Sequence, residues 1–154
     1  MTNLNITDDS LKEKLVAYAY DNSDAFCYGC YKVVKPNAAG RCFCPTCHSD
    51  DLMRHVGGVG VEYGIDWVVE SFIKANCEAI DLETYYGEWL SEIYSEPVKI
   101  CGSEFDQAWA LKQLDPIAYE LGQADMISAN LDDDCWIEID GEYYTVDEVE
   151  NFLS

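Results

Sequence analysis

Basic residues are scarce in this chain of 154 residues, which carries nine Lys and Arg against 30 Asp and Glu, for a formal net charge of −21. The deficit lies mostly in one part. Residues 61–154 hold 23 acids against three lysines, a net of −20, whereas residues 1–60 hold seven acids and six bases. Binding to nucleic-acid phosphates requires clustered Lys and Arg. The composition therefore argues against direct binding of DNA or RNA by residues 61–154.

Long apolar runs are missing as well. No stretch reaches the roughly 18 apolar residues of a membrane span, and the first residues lack the basic and apolar regions of a signal peptide. We therefore expect a protein of the reducing cytosol, where cysteines serve as metal or redox sites more often than as disulfides. Apolar residues make up 49% of the chain, which predicts a folded core beneath the acidic surface.

Catalytic motifs are absent too. The two histidines, His48 and His55, lie in no nucleophile–base pattern, and neither HExxH nor GxSxG occurs. The glycine-rich segment 57–64 matches neither GxGxxG nor a P-loop, so it is interpreted as a junction. Asp132, Asp133 and Asp134 lack the alternation of an EF-hand loop and are interpreted as solvated charge. We expect no enzymatic activity.

The cysteines that are present form a metal-binding pattern. Cys27-Tyr-Gly-Cys30 and Cys44-Pro-Thr-Cys47 are two CxxC pairs, separated by enough chain for a hairpin. Two such pairs turn four thiolates toward one ion, which predicts a Zn²⁺ site. A closed site of four cysteines has no open position for water, so the predicted role is structural.

Alternatives for this site follow from nearby residues. Cys42 could replace Cys44, although Cys44 has the better CxxC partner, and His48 could bind only by displacing a cysteine. A thioredoxin-like redox site would need a single CxxC at the start of a helix. The remaining cysteines are predicted to be small core residues: Cys77, Cys101 and Cys135.

Hydrophobic periodicity and turn residues predict an α+β fold. Ser10 and Glu13 form a capping box, and Asp140-Gly141 is the signal of a two-residue type I′ hairpin. Further helix starts are predicted at Asp81, at Ser103 with Asp106, at Asp115-Pro116, and at Thr145 with Glu148. The predicted helices span residues 10–20, 67–77, 82–94, a segment after 103, a segment from 115 toward 131, and a closing segment after 145. The predicted strands span residues 33–34, 41–43, 97–101, 135–139 and 142–145.

Residues 25–56 resemble the zinc-ribbon family, with Cys27, Cys30, Cys44 and Cys47 at its ligand positions. The resemblance implies a small zinc-stabilised module. It implies no single function, because zinc ribbons serve polymerases, ribosomal proteins and adaptors alike. The predicted organisation is therefore an N-terminal helix (1–24), a zinc ribbon (25–56), a glycine-rich junction (57–64) and an acidic helical domain (65–154) that ends in a β-hairpin and a short helix.

Two other runs, Cys47–Arg54 continuing through Gly64 to Trp67 and Phe105–Gly122, resemble small zinc-ribbon proteins encoded by tailed bacteriophages. Together they cover about half of the chain. This resemblance implies a setting, the cytoplasm of an infected bacterium, and no activity. Small acidic phage proteins often disarm host nucleases.

Carboxylates spread over a folded surface can present a field like that of DNA, which carries one negative charge per about 1.7 Å of axis. The alternative is that the acidity secures solubility only. If it serves binding, the predicted contacts are Glu83, Glu88, Glu92, Asp132, Asp133, Asp134, Glu142 and Glu150.

The expected function is that of a phage-encoded acidic zinc protein without catalytic activity. It would bind and inhibit or modulate a basic host protein that handles nucleic acid, such as a nuclease of an immune system, which would make it an anti-CRISPR or anti-restriction protein. The alternative is a zinc-ribbon adaptor in transcription or another nucleic-acid process. Its predicted contacts are Tyr28, Lys32, Lys35, Arg41 and Arg54.

Overall fold

A computed structural model of the chain describes residues 4–154 and combines helices and sheets, which confirms the predicted α+β class. The chain divides into two compact units. The first, here called the cysteine unit, comprises residues 4–78 together with Asp147–Ser154. The second, here called the acidic unit, comprises Ala79–Val146. None of the helices among the described residues has the length and apolar character needed to cross a bilayer.

The cysteine unit holds a four-stranded antiparallel sheet and two complete helices. The sheet order is β2-β1-β3-β4. Its elements are α1 (Asp9–Asp21), β1 (Asp24–Cys27), β2 (Lys32–Val34), β3 (Met53–Val56), β4 (Gly60–Glu62) and α2 (Asp66–Asn76). Leu11 and Leu15 of α1, and Val69 and Ile73 of α2, are fully buried. The i, i+4 spacing of each pair places both residues on one helix face, as the periodicity predicts.

Helix α1 begins earlier than its predicted capping box. Asp8 is the N-cap residue, and its carboxylate accepts hydrogen bonds from the amides of Ser10 (2.9 Å) and Leu11 (3.3 Å). Ser10 therefore lies inside the helix. The prediction was wrong because an aspartate two residues upstream satisfies the free amides first.

The predicted return strand at residues 41–43 does not form. Asn37 folds this segment into a local turn, since its side-chain oxygen accepts from the amides of Ala39 (2.9 Å) and Arg41 (3.0 Å). Its own amide donates to the Arg41 carbonyl at 2.8 Å. Strand β1 pairs instead with β3, where Ala25 lies opposite Arg54.

The glycine-rich segment 57–64, predicted as a junction, contributes a strand. Strand β4 pairs with β3, and Gly58 at φ +77° makes the turn between them. The boundary between the compact units lies at Glu78 and Ala79, one helix further along the chain. Glycine supplied a hairpin turn here rather than a flexible linker.

The acidic unit contains three helices and two separate hairpins. Its elements are α3 (Leu82–Ile93), β5 (Val98–Ile100), β6 (Ser103–Phe105), α4 (Gln107–Leu114), α5 (Pro116–Asp132), β7 (Trp136–Ile139) and β8 (Glu142–Thr145). The closing helix α6 (Val146–Leu153) follows in the chain and belongs, from Asp147 on, to the cysteine unit. The buried core of this unit consists of Tyr86, Leu90, Ala108, Tyr119, Met126 and Trp136. The C-terminal hairpin and closing helix occur as predicted.

Three helices of this unit begin at aspartates. Asp81, Asp106 and Asp115 accept hydrogen bonds from the amides of Thr84, Trp109 and Ala118. Two of these caps are the predicted ones, but Ser103 belongs to strand β6 and Asp106 caps α4 itself. Asp140 and Gly141 have φ of +51° and +80°, the two positive values that a type I′ turn requires.

Candidate metal centre and charged surfaces

Four cysteine sulfurs converge in the cysteine unit. The Sγ atoms of Cys27, Cys30, Cys44 and Cys47 all lie within 4.8 Å of one another. They are the four residues predicted from the two CxxC pairs. The structure thus brings together two loops separated by 13 residues into one group of metal-ligand geometry.

The donor set fits a tetrahedral ion. A bond of about 2.3 Å from zinc to each sulfur places tetrahedral sulfurs about 3.8 Å apart. Cys27 Sγ and Cys47 Sγ are separated by 3.7 Å. Cys44 is fully buried and Cys27 is 3% exposed, so half of the donors are shielded from water. All four positions of the tetrahedron are filled by protein, which favours structural over catalytic metal chemistry.

The sheet positions the first pair of cysteines. Cys27 ends β1 and pairs with Lys32 at the start of β2, so Cys30 lies in the connecting turn. The Cys30 amide points back and donates to Cys27 Sγ at 3.4 Å. Tyr31 closes this turn with φ of +53°. The second pair lies in a similar loop, where the His48 amide donates to the Cys44 carbonyl at 2.8 Å and His48 has φ of +60°.

The thiols of this group are tuned unequally. Backbone amides of Cys47 and Thr46 that donate to Cys44 Sγ lower the pKa of Cys44 to about 6, against the cost of its burial. Hydrogen bonds to Cys44 and Cys47 raise the pKa of Cys30 to about 12, because its proton is shared with those sulfurs. Binding of a metal ion would displace the protons that these thiols share.

The remaining cysteines lie outside this group. Cys42 is half-buried and packs against the apolar cluster around Cys44, so the alternative ligand set with Cys42 is not the one that converges. Cys77 is buried, as predicted. Its burial raises the pKa of its thiol, and the negative charge of the nearby Glu148 raises it further. Cys101 and Cys135 are exposed, contrary to prediction. Cys101 lies in the two-residue turn between β5 and β6, with φ of +50°.

Basic side chains of the cysteine unit line a groove of about 360 Å³. Lys32, Lys35 and Arg41 lie around Val33 and Phe43, which are each 39% exposed. Lys35 also pairs with Asp24 at 2.6 Å, and the Lys32 ammonium contacts the Thr46 hydroxyl. The predicted basic contacts therefore do lie together, with three of them in one groove.

Arg54 has a different role from the predicted one. Its guanidinium donates to the Ser23 carbonyl (2.7 Å) and hydroxyl (2.6 Å) and to the Tyr20 carbonyl (3.2 Å). It also lies 4.9 Å from the centre of the Tyr20 ring. These bonds connect β3 to the end of α1, so the Arg54 side chain stabilises the packing of the cysteine unit.

The eight predicted acidic contacts are all exposed. Seven of them belong to the acidic unit, whereas Glu150 lies on α6 in the cysteine unit. Asp132, Asp133 and Asp134 gather at the C-terminal end of α5, where the helix dipole disfavours negative charge. Whether these carboxylates contact a partner remains a prediction.

Glu83 and Glu88 lie in a cleft of about 350 Å³ between α3 and α4, here called the α3–α4 cleft. Trp109, 51% exposed, and the edge of Tyr119 also line it. Trp109 lies on the exposed side of α4. Helix α4 buries the small residues Ala108 and Ala110 instead, and this small-residue pattern was the available signal.

Lys112 is the cation of this cleft. Its ammonium lies 3.1 Å from Glu83 Oε1 and 5.5 Å from the centre of the Tyr119 ring. The bond to Glu83 and its charge raise the pKa of Lys112. Burial raises the pKa of Tyr119, so its ring stays neutral at physiological pH.

Comparison of the chain with models of protein families, with curated proteins and with solved structures finds no match. Two features of the chain therefore bear on its function: the group of four converging thiols and the strongly acidic unit.

Proposed function

We propose that this protein is a non-enzymatic binding protein that a phage produces in the cytoplasm of an infected bacterium. It binds a basic host protein that handles nucleic acid, such as a nuclease, and inhibits or modulates it. The cysteine unit is a zinc ribbon that holds Zn²⁺ as a structural ion. The phage setting rests on the sequence resemblance described above.

Zinc is the metal that best suits the donor set. Four thiolates in a tetrahedron are typical of structural zinc, which stabilises a small sheet without taking part in chemistry. The ligands in this chain are Cys27, Cys30, Cys44 and Cys47. The bound ion would stabilise the β1–β2 turn and the loop of the second CxxC pair.

The charge of the acidic unit carries the proposal. Ala79–Val146 contains 16 Asp and Glu against two lysines, a net of −14 within a compact fold. Such a field accelerates encounter with a cationic surface and repels nucleic acid. A protein groove built to hold DNA or RNA offers the complementary charge.

A second candidate function is supported by the basic groove around Lys32, Lys35 and Arg41. Cations beside exposed aromatic rings are typical of surfaces that bind single-stranded nucleic acid. Tyr28 and Tyr31, 65% and 77% exposed, lie near the same strands. In that case the protein is a zinc-ribbon adaptor in a nucleic-acid process.

One experiment separates the two. The zinc-loaded protein is titrated with labelled single- and double-stranded DNA, and is also used to capture proteins from bacterial lysate at low and at high salt. The proposal predicts that the protein does not bind DNA. It also predicts salt-sensitive capture of a nucleic-acid-handling protein, and DNA should compete with the acidic protein for binding to that partner. DNA binding that is lost in a Lys32→Gln, Arg41→Gln variant would instead establish the adaptor.

A further inference from the structure

The α3–α4 cleft combines aromatic and acidic side chains in one lining. Its aromatic residues are Trp109 and Tyr119, and its acids are Glu83, Glu88 and Asp106. A second hollow of about 500 Å³ adjoins it and shares Glu83, Lys112 and Tyr119. The second hollow adds three further carboxylate or amide side chains: Asp81, Glu120 and Gln123.

One half of the cleft already shows how it holds a cation. Lys112 bonds to Glu83 at 3.1 Å and approaches the Tyr119 ring to 5.5 Å, a carboxylate and an aromatic ring on a single ammonium. This pairing is the arrangement of a cation–π site.

The other half offers the same two groups to solvent. Trp109 stacks one side of its ring on Phe105, with centroids 5.2 Å apart and planes 14° from parallel, yet remains 51% exposed. Glu88 of α3 is exposed and lines the same cleft as Trp109 of α4. Lys99, the other lysine of the acidic unit, lies on the β5–β6 hairpin near Glu104, so the unit has no further lysine for Glu88.

We propose that this open half of the cleft binds an arginine side chain of a basic protein partner. The guanidinium stacks on Trp109 and donates to the Glu88 carboxylate. This inference rests on the proposed function and names the chemistry of its contact. It also places Glu83 and Glu88 at the binding site, and Asp132, Asp133 and Asp134 outside it.

The geometry favours arginine over lysine. A guanidinium is planar and weakly hydrated, so it stacks on an indole and bonds to a carboxylate at the same time, whereas an ammonium is compact and strongly hydrated. Tryptophan is the ring with the strongest attraction for cations. Charge complementarity therefore selects a basic occupant, and the exposed ring selects arginine among basic side chains.

The test uses the full-length zinc-loaded protein and a fluorescein-labelled hexa-arginine peptide, with affinity measured by fluorescence anisotropy at low salt. Trp109→Leu should weaken binding about three- to tenfold, and Glu88→Gln about two- to fivefold. Glu138→Gln is the matched control, since Glu138 is an exposed acid on β7 of the same unit and lies outside the cleft. It should change the affinity much less, and hexa-lysine should bind more weakly than hexa-arginine. Circular dichroism verifies that each variant is folded.

A second pair of variants tests the internal cation. Lys112→Met removes the ammonium that occupies Glu83, so it should tighten hexa-arginine binding. Lys99→Met makes the same charge change on the β5–β6 hairpin and should tighten it less. Equal effects of the two variants would show that only the overall charge matters, which overturns the cleft.

The remaining outcomes are also decisive. If Glu88→Gln and Glu138→Gln weaken binding equally, or if hexa-lysine binds as well as hexa-arginine, the cleft is not the contact. The proposed function is tested separately, because the protein would still capture a host protein if another acidic surface makes the contact. If sedimentation shows a dimer that Trp109→Leu dissociates, the occupant is a second copy of the chain and the inference is wrong. No binding of hexa-arginine at low salt also overturns it.

Discussion

The thiols of the metal centre receive different support from their surroundings. Two backbone amides stabilise the Cys44 thiolate, whereas Cys30 shares its proton with other sulfurs. Cys42, only two residues before Cys44, packs against the neighbouring apolar cluster. A difference of two positions in the sequence thus separates a buried cysteine of the converging group from a half-buried cysteine outside it.

Replacement of Cys44 by Ser should abolish stoichiometric zinc binding, because a serine hydroxyl is a poor substitute for a thiolate in a tetrahedral sulfur site. Cys42→Ser should leave zinc content unchanged. Inductively coupled plasma mass spectrometry of the purified variants measures the metal per chain. Loss of zinc from the Cys42 variant, with retention in the Cys44 variant, would contradict this assignment.

At the scale of secondary structure, aspartates do much of the capping. Asp8, Asp81, Asp106 and Asp115 each begin a helix and accept amide hydrogen bonds there. Negative charge is favourable at a helix N-terminus, so these four residues stabilise the fold despite the overall repulsion. The acidity of the chain is therefore partly structural.

The cap of α3 should give the protein a measurable pH dependence. The Thr84 hydroxyl and the Thr84 amide both donate to the Asp81 carboxylate and lower the pKa of Asp81, the hydroxyl having the larger effect. Because the folded pKa is depressed, the stabilisation is complete above the ordinary Asp pKa of about 3.9 and is lost as the pH falls through the lower folded value. The difference in free energy of unfolding between the wild type and Asp81→Ala, measured in urea, should be large at about pH 6 and shrink toward about pH 3.

If the difference in free energy of unfolding does not depend on pH, the ionised form of the Asp81 carboxyl does not stabilise the fold more than its protonated form. Asp125→Ala provides the comparison, since Asp125 lies inside α5 and caps no helix. Its replacement removes a carboxylate from α5 without removing a cap hydrogen bond.

Helix α5 contains a glycine whose reason is visible only in the packed unit. A Cβ added at Gly122 would overlap the hydroxyl of Tyr86, a side chain of α3 that is 2% exposed. Glycine in a helix normally costs about 1 kcal/mol relative to alanine. Here that cost allows Tyr86 to pack against the helix.

Gly122→Ala should destabilise the protein by up to about 2 kcal/mol, because the overlap costs about 1–3 kcal/mol and the gain in helix propensity of about 1 kcal/mol offsets only part of it. In a Tyr86→Phe background the same substitution should be clearly less destabilising, because the overlapping hydroxyl is gone and only the ring Cζ remains close, at 3.3 Å. Urea denaturation of both single variants and the double variant measures the coupling. Additive effects would contradict the contact.

At the scale of the whole molecule, repulsion among the carboxylates opposes the compact state. The net charge is −21, and each unit is negative, −14 for the acidic unit and −7 for the cysteine unit. Salt screens this repulsion, with a Debye length that falls from about 30 Å at 0.01 M to about 3 Å at 1 M. Salt also weakens attraction to a basic partner.

The melting temperature of the zinc-loaded protein should therefore rise between about 0.01 M and about 1 M NaCl, while capture of a basic partner falls over the same range. Differential scanning calorimetry at constant zinc measures the first effect. A melting temperature that is unchanged or falls would show that ion pairs and caps outweigh the repulsion.

Local chemistry explains which elements sequence patterns predicted well. The two CxxC pairs, the Asp140-Gly141 turn and the Asp81 and Asp115 caps act over a few residues, so neighbours in the chain suffice to specify them. The absent strand at 41–43 and the extra strand β4 depended on which segments paired with β1 and β3. Strand pairing joins distant residues and has no local signature.

By itself, the sequence determined the thiol ligand set, the class of fold and the sign of the surface charge, because residue type and short spacing decide these properties. Only the tertiary structure placed Trp109, Glu88 and Lys112 in one cleft, engaged Arg54 with Ser23, and exposed Cys101 and Cys135. Periodicity identifies the apolar face of a helix but not the volume available beneath it. Packing decided that small alanines of α4 were buried and its tryptophan remained in solvent.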